Sequence, residues 1–190
     1  MLDRDGVVNE PVINPTTGLG ESPYDPRDVT VIPDTVDLIR AANTLGIPVA
    51  VVSNQPAAAK MTSSLRELLA VHDELQIQLR RLDARIDSWH YCFHHPSQTN
   101  SELAVSCRCR KPASGMLRAA LHDLGVKRSR ECWMVGDSDV DIVAGQAVGA
   151  TTVLVKHPRT SHRRGHSNPD AEVSSAADLL PAFTHPKEPN

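Results

Sequence analysis

Apolar positions along this chain fall into two alternating kinds of run. Residues 47–53 (Ile-Pro-Val-Ala-Val-Val-Ser) form a short continuous block, the pattern of a parallel strand covered on both faces. Before it, Val36, Ile39, Ala42 and Leu45 recur at helical spacing, with Asp34 placed to cap the helix and Gly46 to end it. After it, Ser64 and Glu67 give the capping-box spacing and open a long amphipathic helix. Its stripe is Leu65, Leu68, Leu69, His72, Leu75, Leu79 and Leu82. Farther on, the pattern predicts a helix over 113–124, a strand over 131–135, a helix over 139–147, a strand over 151–155 and a short helix near 175–182. Segment 157–169, rich in His, Arg, Ser and Pro, reads as a solvated loop, and 184–190 as a disordered polar tail. Alternating strands and helices predict a three-layer α/β fold with a mostly parallel sheet, one domain over 1–183.

Composition narrows what such a fold can do. The net charge of −3 over 190 residues offers no broad basic field, and two each of Trp, Tyr and Phe leave little for base stacking, so nucleic acid is not an expected partner. No apolar run approaches the ~20 residues of a membrane span and no leader-like segment precedes the first motif, so the expected location is cytoplasmic. Four cysteines in a reducing compartment read as metal ligands or buried thiols rather than disulfides. With no apolar heptad, the expected state is a monomer.

Four groups of polar residues stand at strand ends, where open α/β sheets place their sites. Asp3-Arg4-Asp5-Gly6 sets two carboxylates at i and i+2, able to converge on one hard cation; an Asx-rich turn is the equally weighted bland reading. Ser53-Asn54-Gln55 offers a hydroxyl and an amide to a phosphate, although alone it reads as an ordinary turn. Lys111 is a cation that by itself is merely solvated. Gly136-Asp137-Ser138-Asp139-Val140-Asp141 could equally be a helix N-terminus carrying favourable carboxylates.

A fifth group stands apart. Cys92 and His94 are separated by twelve residues from Cys107 and Cys109, which run directly into Arg110-Lys111-Pro112. Three thiolates and one imidazole complete a tetrahedral set, which makes a structural zinc site with no open position. Unrelated buried thiols are the alternative, His95 is a competing imidazole, and Cys132 reads as a small buried hydrophobe.

Taken in order, Asp-x-Asp, Ser53, Lys111 and the acidic group at 137–141 resemble the haloacid dehalogenase (HAD) superfamily of phosphotransferases over residues 2 to 155. The resemblance implies that Asp3 is the nucleophile, forming an aspartyl-phosphate, and that Asp5 is the general acid and base. It implies Mg²⁺ on Asp3, the Asp5 carbonyl and Asp137, with Ser53 and Lys111 on the phosphate oxygens. Asp141 would then orient Lys111 or a metal-bound water, and Asp139 would be surface. An Asp at position 5 favours a phosphatase over a dehalogenase. Within the superfamily, the Cys-His segment and Pro112 to Leu117 resemble the D-glycero-D-manno-heptose 1,7-bisphosphate phosphatases, with histidinol phosphatases as near relatives. That likeness implies zinc on Cys92, His94, Cys107 and Cys109, and substrate contacts from Asn54, Arg110 and Lys111. With no large cap, the zinc loop (about 92–109) and segment 9–28 are expected to wall the site. The expected reaction removes the C7 phosphate of the heptose bisphosphate, with histidinol phosphate as the alternative substrate. A non-catalytic zinc-stabilised binding module is the reading from another class.

The chain departs from that pattern twice. Only Met1 and Leu2 precede Asp3, where a strand of ~5 residues is usual. The segment Gln55-Pro56-Ala57-Ala58-Ala59-Lys60 replaces the relatives' Ser-Gly-Ile-Ala-Arg.

Overall fold

The computed structural model of the chain describes residues 1–96, 102–127 and 129–184. A small antiparallel hairpin, β1 (Val12–Ile13) with β2 (Gly20–Glu21), comes first. The main sheet uses β3 (Ala50–Asn54), β4 (Ser88–Cys92), β5 (Trp133–Gly136), β6 (Thr151–Val155) and β7 (Ala171–Val173). Its helices are α1 (Pro33–Thr44), α2 (Leu65–Arg81), α3 (Gly115–Asp123), α4 (Asp139–Gln146) and the short α5 (Leu180–Thr184). β3 pairs with β4, and β5 with β6 and β6 with β7, all parallel.

Leu2 joins these two groups. It bridges Val51 on one side and Val135 on the other, both in parallel sense. Leu2 N–H donates to Ala50 O at 2.8 Å, Val52 N–H to Leu2 O at 2.9 Å and Asp3 N–H to Val135 O at 2.9 Å. The sheet order is therefore β4–β3–Leu2–β5–β6–β7, and the short first strand reduces to this one bridged residue.

Strand residues alternate between two faces. Val51 and Val135 join Val36 and Ile39 of α1 and Val71, Leu75 and Leu79 of α2 in one core. Ala50, Val52 and Met134 join Met116, Leu117 and Ala120 of α3 and Ala144 of α4 in the other. This is the expected three-layer arrangement. Leu75 is fully buried, so truncating it to Ala removes about 2–5 kcal/mol.

Several details differ from the pattern-based expectation. Asp34 does not cap α1: Ile32 is the N-cap, Pro33 takes the first helical position, and Asp34 accepts from Ser175 Oγ instead. The buried strand starts at Ala50 rather than 47, because Pro48 has no N–H to give a ladder and Ile47 faces solvent. On α2 the Ser64–Glu67 capping box forms, but Leu65, Leu69 and Leu82 are exposed. The stripe that meets the sheet is Leu68, Val71, Leu75 and Leu79.

Strand β4, strand β7 and the hairpin lacked a clear apolar period. Segment 157–169 is not simply solvated: it contains a 3₁₀ helix, Pro158–Arg163, and buries Thr160. Cys132 is half-buried rather than buried. Thr184 ends α5; the expected disordered tail at 185–190 and part of the zinc loop, 97–101, lie outside the described residues.

Candidate active site

Asp3 leaves the sheet at the C-terminal edge, between β3 and β5, on the backbone that Val135 fixes. The chain then turns tightly: Arg4 O accepts from Val8 N–H at 2.7 Å and Asn9 N–H at 3.0 Å. Gly6 sits at φ +88°, and a Cβ there would lie 2.3 Å from Asp137 Oδ2. Only glycine lets this turn close over Asp137.

From the other side, β5 delivers Asp137 and α4 delivers Asp141. Gly136 is required by close approach, since a Cβ on it would fall 2.2 Å from that of Asp141. Ser138 donates to Asp141 Oδ2 through its N–H (3.2 Å) and its hydroxyl (2.6 Å), which turns the other oxygen inward. There Lys111 Nζ lies 2.5 Å from Asp141 Oδ1, 2.7 Å from Asp3 Oδ1 and 2.7 Å from Val52 O. Two of the ammonium hydrogens are bonded, to Asp3 and to the Val52 carbonyl, and Asp141 pairs with the ammonium by charge. Burial pushes the Lys111 pKa down, but Asp141 and Asp3 outweigh it and the net shift is upward.

Asp3, Asp137 and Asp141 each offer an oxygen within 4.8 Å of the others, and all three residues are buried. Among the described residues neither Asp137 oxygen accepts a hydrogen bond, and the nearest cation, Arg163 Nη1, is 3.9 Å away. Burial, then Asp3 and Asp141, push the Asp137 carboxyl well above its ordinary range. Burial also raises Asp3, with Lys111 opposing. Orphaned oxygens amid excess negative charge fit a hard divalent cation such as Mg²⁺, which Asp3, Asp137 and the Asp5 carbonyl could hold.

The Asp5 carboxylate lies outside that triad. It pairs with Arg4 and accepts from Asn9, Ser22 and Gln55. Burial alone would raise its pKa; Arg4 and the hydrogen bonds from Ser22, Gln55 and Asn9 more than reverse this and hold it below the ordinary carboxylate range. Ser53 is buried, its Oγ 3.1 Å from Gln55 Nε2. Asn54 fastens the Lys111 peptide to β3: its Nδ2 donates to Lys111 O at 2.9 Å, and its Oδ1 accepts from Lys111 N–H at 3.0 Å. In this arrangement both amide heteroatoms serve the backbone.

The Cys-His group assembles at the end of β4. Sγ separations are 3.1 Å for Cys107–Cys109, 3.3 Å for Cys92–Cys109 and 3.6 Å for Cys92–Cys107. His94 Nδ1 is 3.4 Å from Cys109 and 3.7 Å from Cys92. A regular tetrahedron with Zn–S of about 2.3 Å and Zn–N of about 2.0 Å has edges near ~3.8 Å (S–S) and ~3.5 Å (S–N). The cage needs only slight expansion to fit zinc, and the nitrogen that stands in it belongs to His94. Arg110 N–H donates to Cys107 Sγ at 3.4 Å, and Arg110 Nη1 donates to His94 O at 3.3 Å. The loop therefore holds the Arg110 backbone and side chain together, one residue before Lys111.

Sequence reasoning gave no role to Arg4, Gln55, Ser22 or Arg163. An arginine between two aspartates was the only visible hint of the first. Asp139, expected at the surface, accepts from the N–H groups of Gly165, His166 and Ser167 and from Ser167 Oγ. It anchors the loop from which Arg163 reaches Gly20 O (2.6 Å) and the hairpin. Hairpin and loop together wall the Asp137 side, and Ser22 brings segment 9–28 to Asp5.

The fold and site define a phosphatase of the HAD-like class. The HAD-hydrolase-like family model matches residues 108–180. The structure of D,D-heptose 1,7-bisphosphate phosphatase from B. bronchiseptica, complexed with magnesium and phosphate, has the same fold: TM-score 0.76 at 23% identity, covering 97% of this chain and 96% of that one.

Sequence comparison defines the family more closely. The chain is 36% identical over 165 residues to D-glycero-beta-D-manno-heptose-1,7-bisphosphate 7-phosphatase of Pseudomonas putida, covering 82% of this chain and 81% of that protein. It is 33% identical over 173 residues to the protein of the same name from Pseudomonas aeruginosa, covering 91% and 89%. The chain belongs to this heptose-bisphosphate phosphatase family.

Proposed function

We propose that the protein is a Mg²⁺-dependent phosphomonoester hydrolase that removes the C7 phosphate of D-glycero-D-manno-heptose 1,7-bisphosphate, the β anomer by the names of its relatives. The observation that carries this is the buried Asp137 carboxylate beside Asp3, which accepts no hydrogen bond among the described residues, with Lys111 between Asp3 and Asp141. A bound divalent cation offsets the repulsion between these carboxylates and a phosphate dianion.

The chain's own residues do the rest. Asp3 attacks phosphorus in line; its oxygen bonds to phosphorus as the bond to the sugar oxygen breaks. Lys111 contributes positive charge, and the Ser53 hydroxyl donates to a phosphate oxygen. Asp5 gives a proton to the departing alkoxide and recovers one from the water that cleaves the aspartyl-phosphate. The hydrogen bonds from Arg4, Asn9, Ser22 and Gln55 favour its base form, the one the second half-reaction needs. For the acid half, one of these hydrogen bonds opens and the freed lone pair on the Asp5 oxygen takes up a proton from solvent, which then passes to the departing alkoxide. The zinc loop presents Arg110, whose planar fork suits phosphate, at the site's edge. The slight net negative charge agrees with a small sugar phosphate rather than nucleic acid as the partner, and we take the protein to be a cytoplasmic monomer.

Steady-state rates with Mg²⁺ on the heptose bisphosphate and on histidinol phosphate test the substrate. We expect the heptose ester to have the higher kcat/KM; preference for histidinol phosphate refutes that assignment. Asp3→Asn should abolish turnover of both, and retained activity removes the mechanism.

A further inference from the structure

Arg4 is the largest fully buried side chain among the described residues, 1% exposed, and it lies inside the turn that carries Asp3 and Asp5. A buried guanidinium needs its donors satisfied and its charge matched. The match here is Asp5: Arg4 Nε donates to Oδ1 at 3.0 Å and Nη2 to Oδ2 at 3.2 Å. Gln55 closes the triangle, accepting from Arg4 Nη2 at 2.8 Å while its Nε2 donates to Asp5 Oδ2 at 2.7 Å and Ser53 Oγ at 3.1 Å. Asn9 Nδ2 on Oδ1 (3.1 Å) and Ser22 Oγ on Oδ2 (2.7 Å) complete the cage. Beneath it the Tyr91 ring lies 5.7 Å from the guanidinium carbon.

The consequence is a division of labour among carboxylates. Asp3 and Asp5 are two residues apart, yet the buried acidic triad is Asp3, Asp137 and Asp141. A free carboxylate so near a divalent cation is an attractive ligand. We propose that Arg4 and Gln55 are positioning residues that keep the Asp5 carboxylate away from the acidic triad and aimed for proton transfer to the leaving oxygen. This rests on the phosphatase reading given above. The planar fork matters: a lysine keeps the charge but cannot span both oxygens while holding Gln55.

Leaving-group chemistry separates this from a purely structural ion pair. For an enzyme that phosphorylates its own aspartate, kcat/KM reports steps through the first phosphoryl transfer, where an alkyl ester needs a proton on its departing oxygen. p-Nitrophenolate leaves without one. Arg4→Lys should lower kcat/KM for a sugar phosphate by about 100-fold while p-nitrophenyl phosphate stays within about threefold. Gln55→Met should act in the same direction by about 10-fold, and decides alone if Arg4→Lys does not fold. Equal losses on both esters, or none on either, overturn the proposal. Wild-type protein that hydrolyses neither ester overturns the phosphatase reading itself, and this proposal with it.

Discussion

Asp137→Asn tests whether the triad is a cation site held together at the expense of the metal-free fold. Asp137 is fully buried, accepts no hydrogen bond among the described residues, and shares a 4.8 Å cluster with Asp3 and Asp141. At an effective dielectric of about 20, one like-charge repulsion across 4.8 Å is about 3.5 kcal/mol. Lys111 offsets part of this, so the isosteric amide should stabilise chelated protein at pH 7 by about 2 kcal/mol, or about 4–8 °C in Tm. The pH dependence has a definite sign. Burial and neighbouring carboxylates raise the folded pKa above the unfolded value. The penalty is therefore absent below the unfolded pKa and complete above the folded one. The advantage of Asp137→Asn should grow as pH rises through that window and vanish in acid. Mg²⁺ should raise the Tm of wild type and leave the variant nearly unchanged. Thermal melts of both chelated proteins across pH, with and without Mg²⁺, make the measurement. A variant less stable than wild type at pH 7, or an advantage that persists in acid, refutes the reasoning.

Three further expectations follow from the same geometry. Lys111→Met leaves Asp3 and Asp141 buried without their shared cation and should destabilise the protein by about 3–5 kcal/mol in denaturant melts; adding Asp141→Asn should recover part of it. Cys107→Ser/Cys109→Ser should abolish binding of about one zinc per chain by metal analysis, lower Tm by more than about 10 °C and raise KM, because Arg110 and Lys111 lose their support. Asp139→Ala removes four hydrogen bonds to the 165–167 loop, and since the residue is only partly buried the loss is about 1 kcal/mol. Its folded pKa is depressed by those bonds, so the contribution is present above the unfolded pKa and disappears as pH falls through the folded one, which paired urea melts would reveal.

The sequence alone determined the layers, because β3 is buried on both faces and α1, α2, α3 and α4 on one each, and that burial leaves a continuous apolar run or a helical period in the chain. It also named the candidate residues Asp3, Ser53, Lys111 and Asp137 and the Cys92, His94, Cys107 and Cys109 group, because their order and spacing along the chain are themselves a pattern. What it left open was how each carboxylate is used. Asp3, Asp5, Asp137, Asp139 and Asp141 are one residue type, yet tertiary neighbours make them differ. Lys111 reaches Asp3 and Asp141 from across the sheet, Arg4 and Gln55 enclose Asp5, and the 165–167 loop closes on Asp139. Asp137 alone among these carboxylates has both oxygens open, as far as the described residues go. Charge and hydrogen bonding act through space over a few ångströms, so residues 50 or 108 positions apart decide what a local motif cannot.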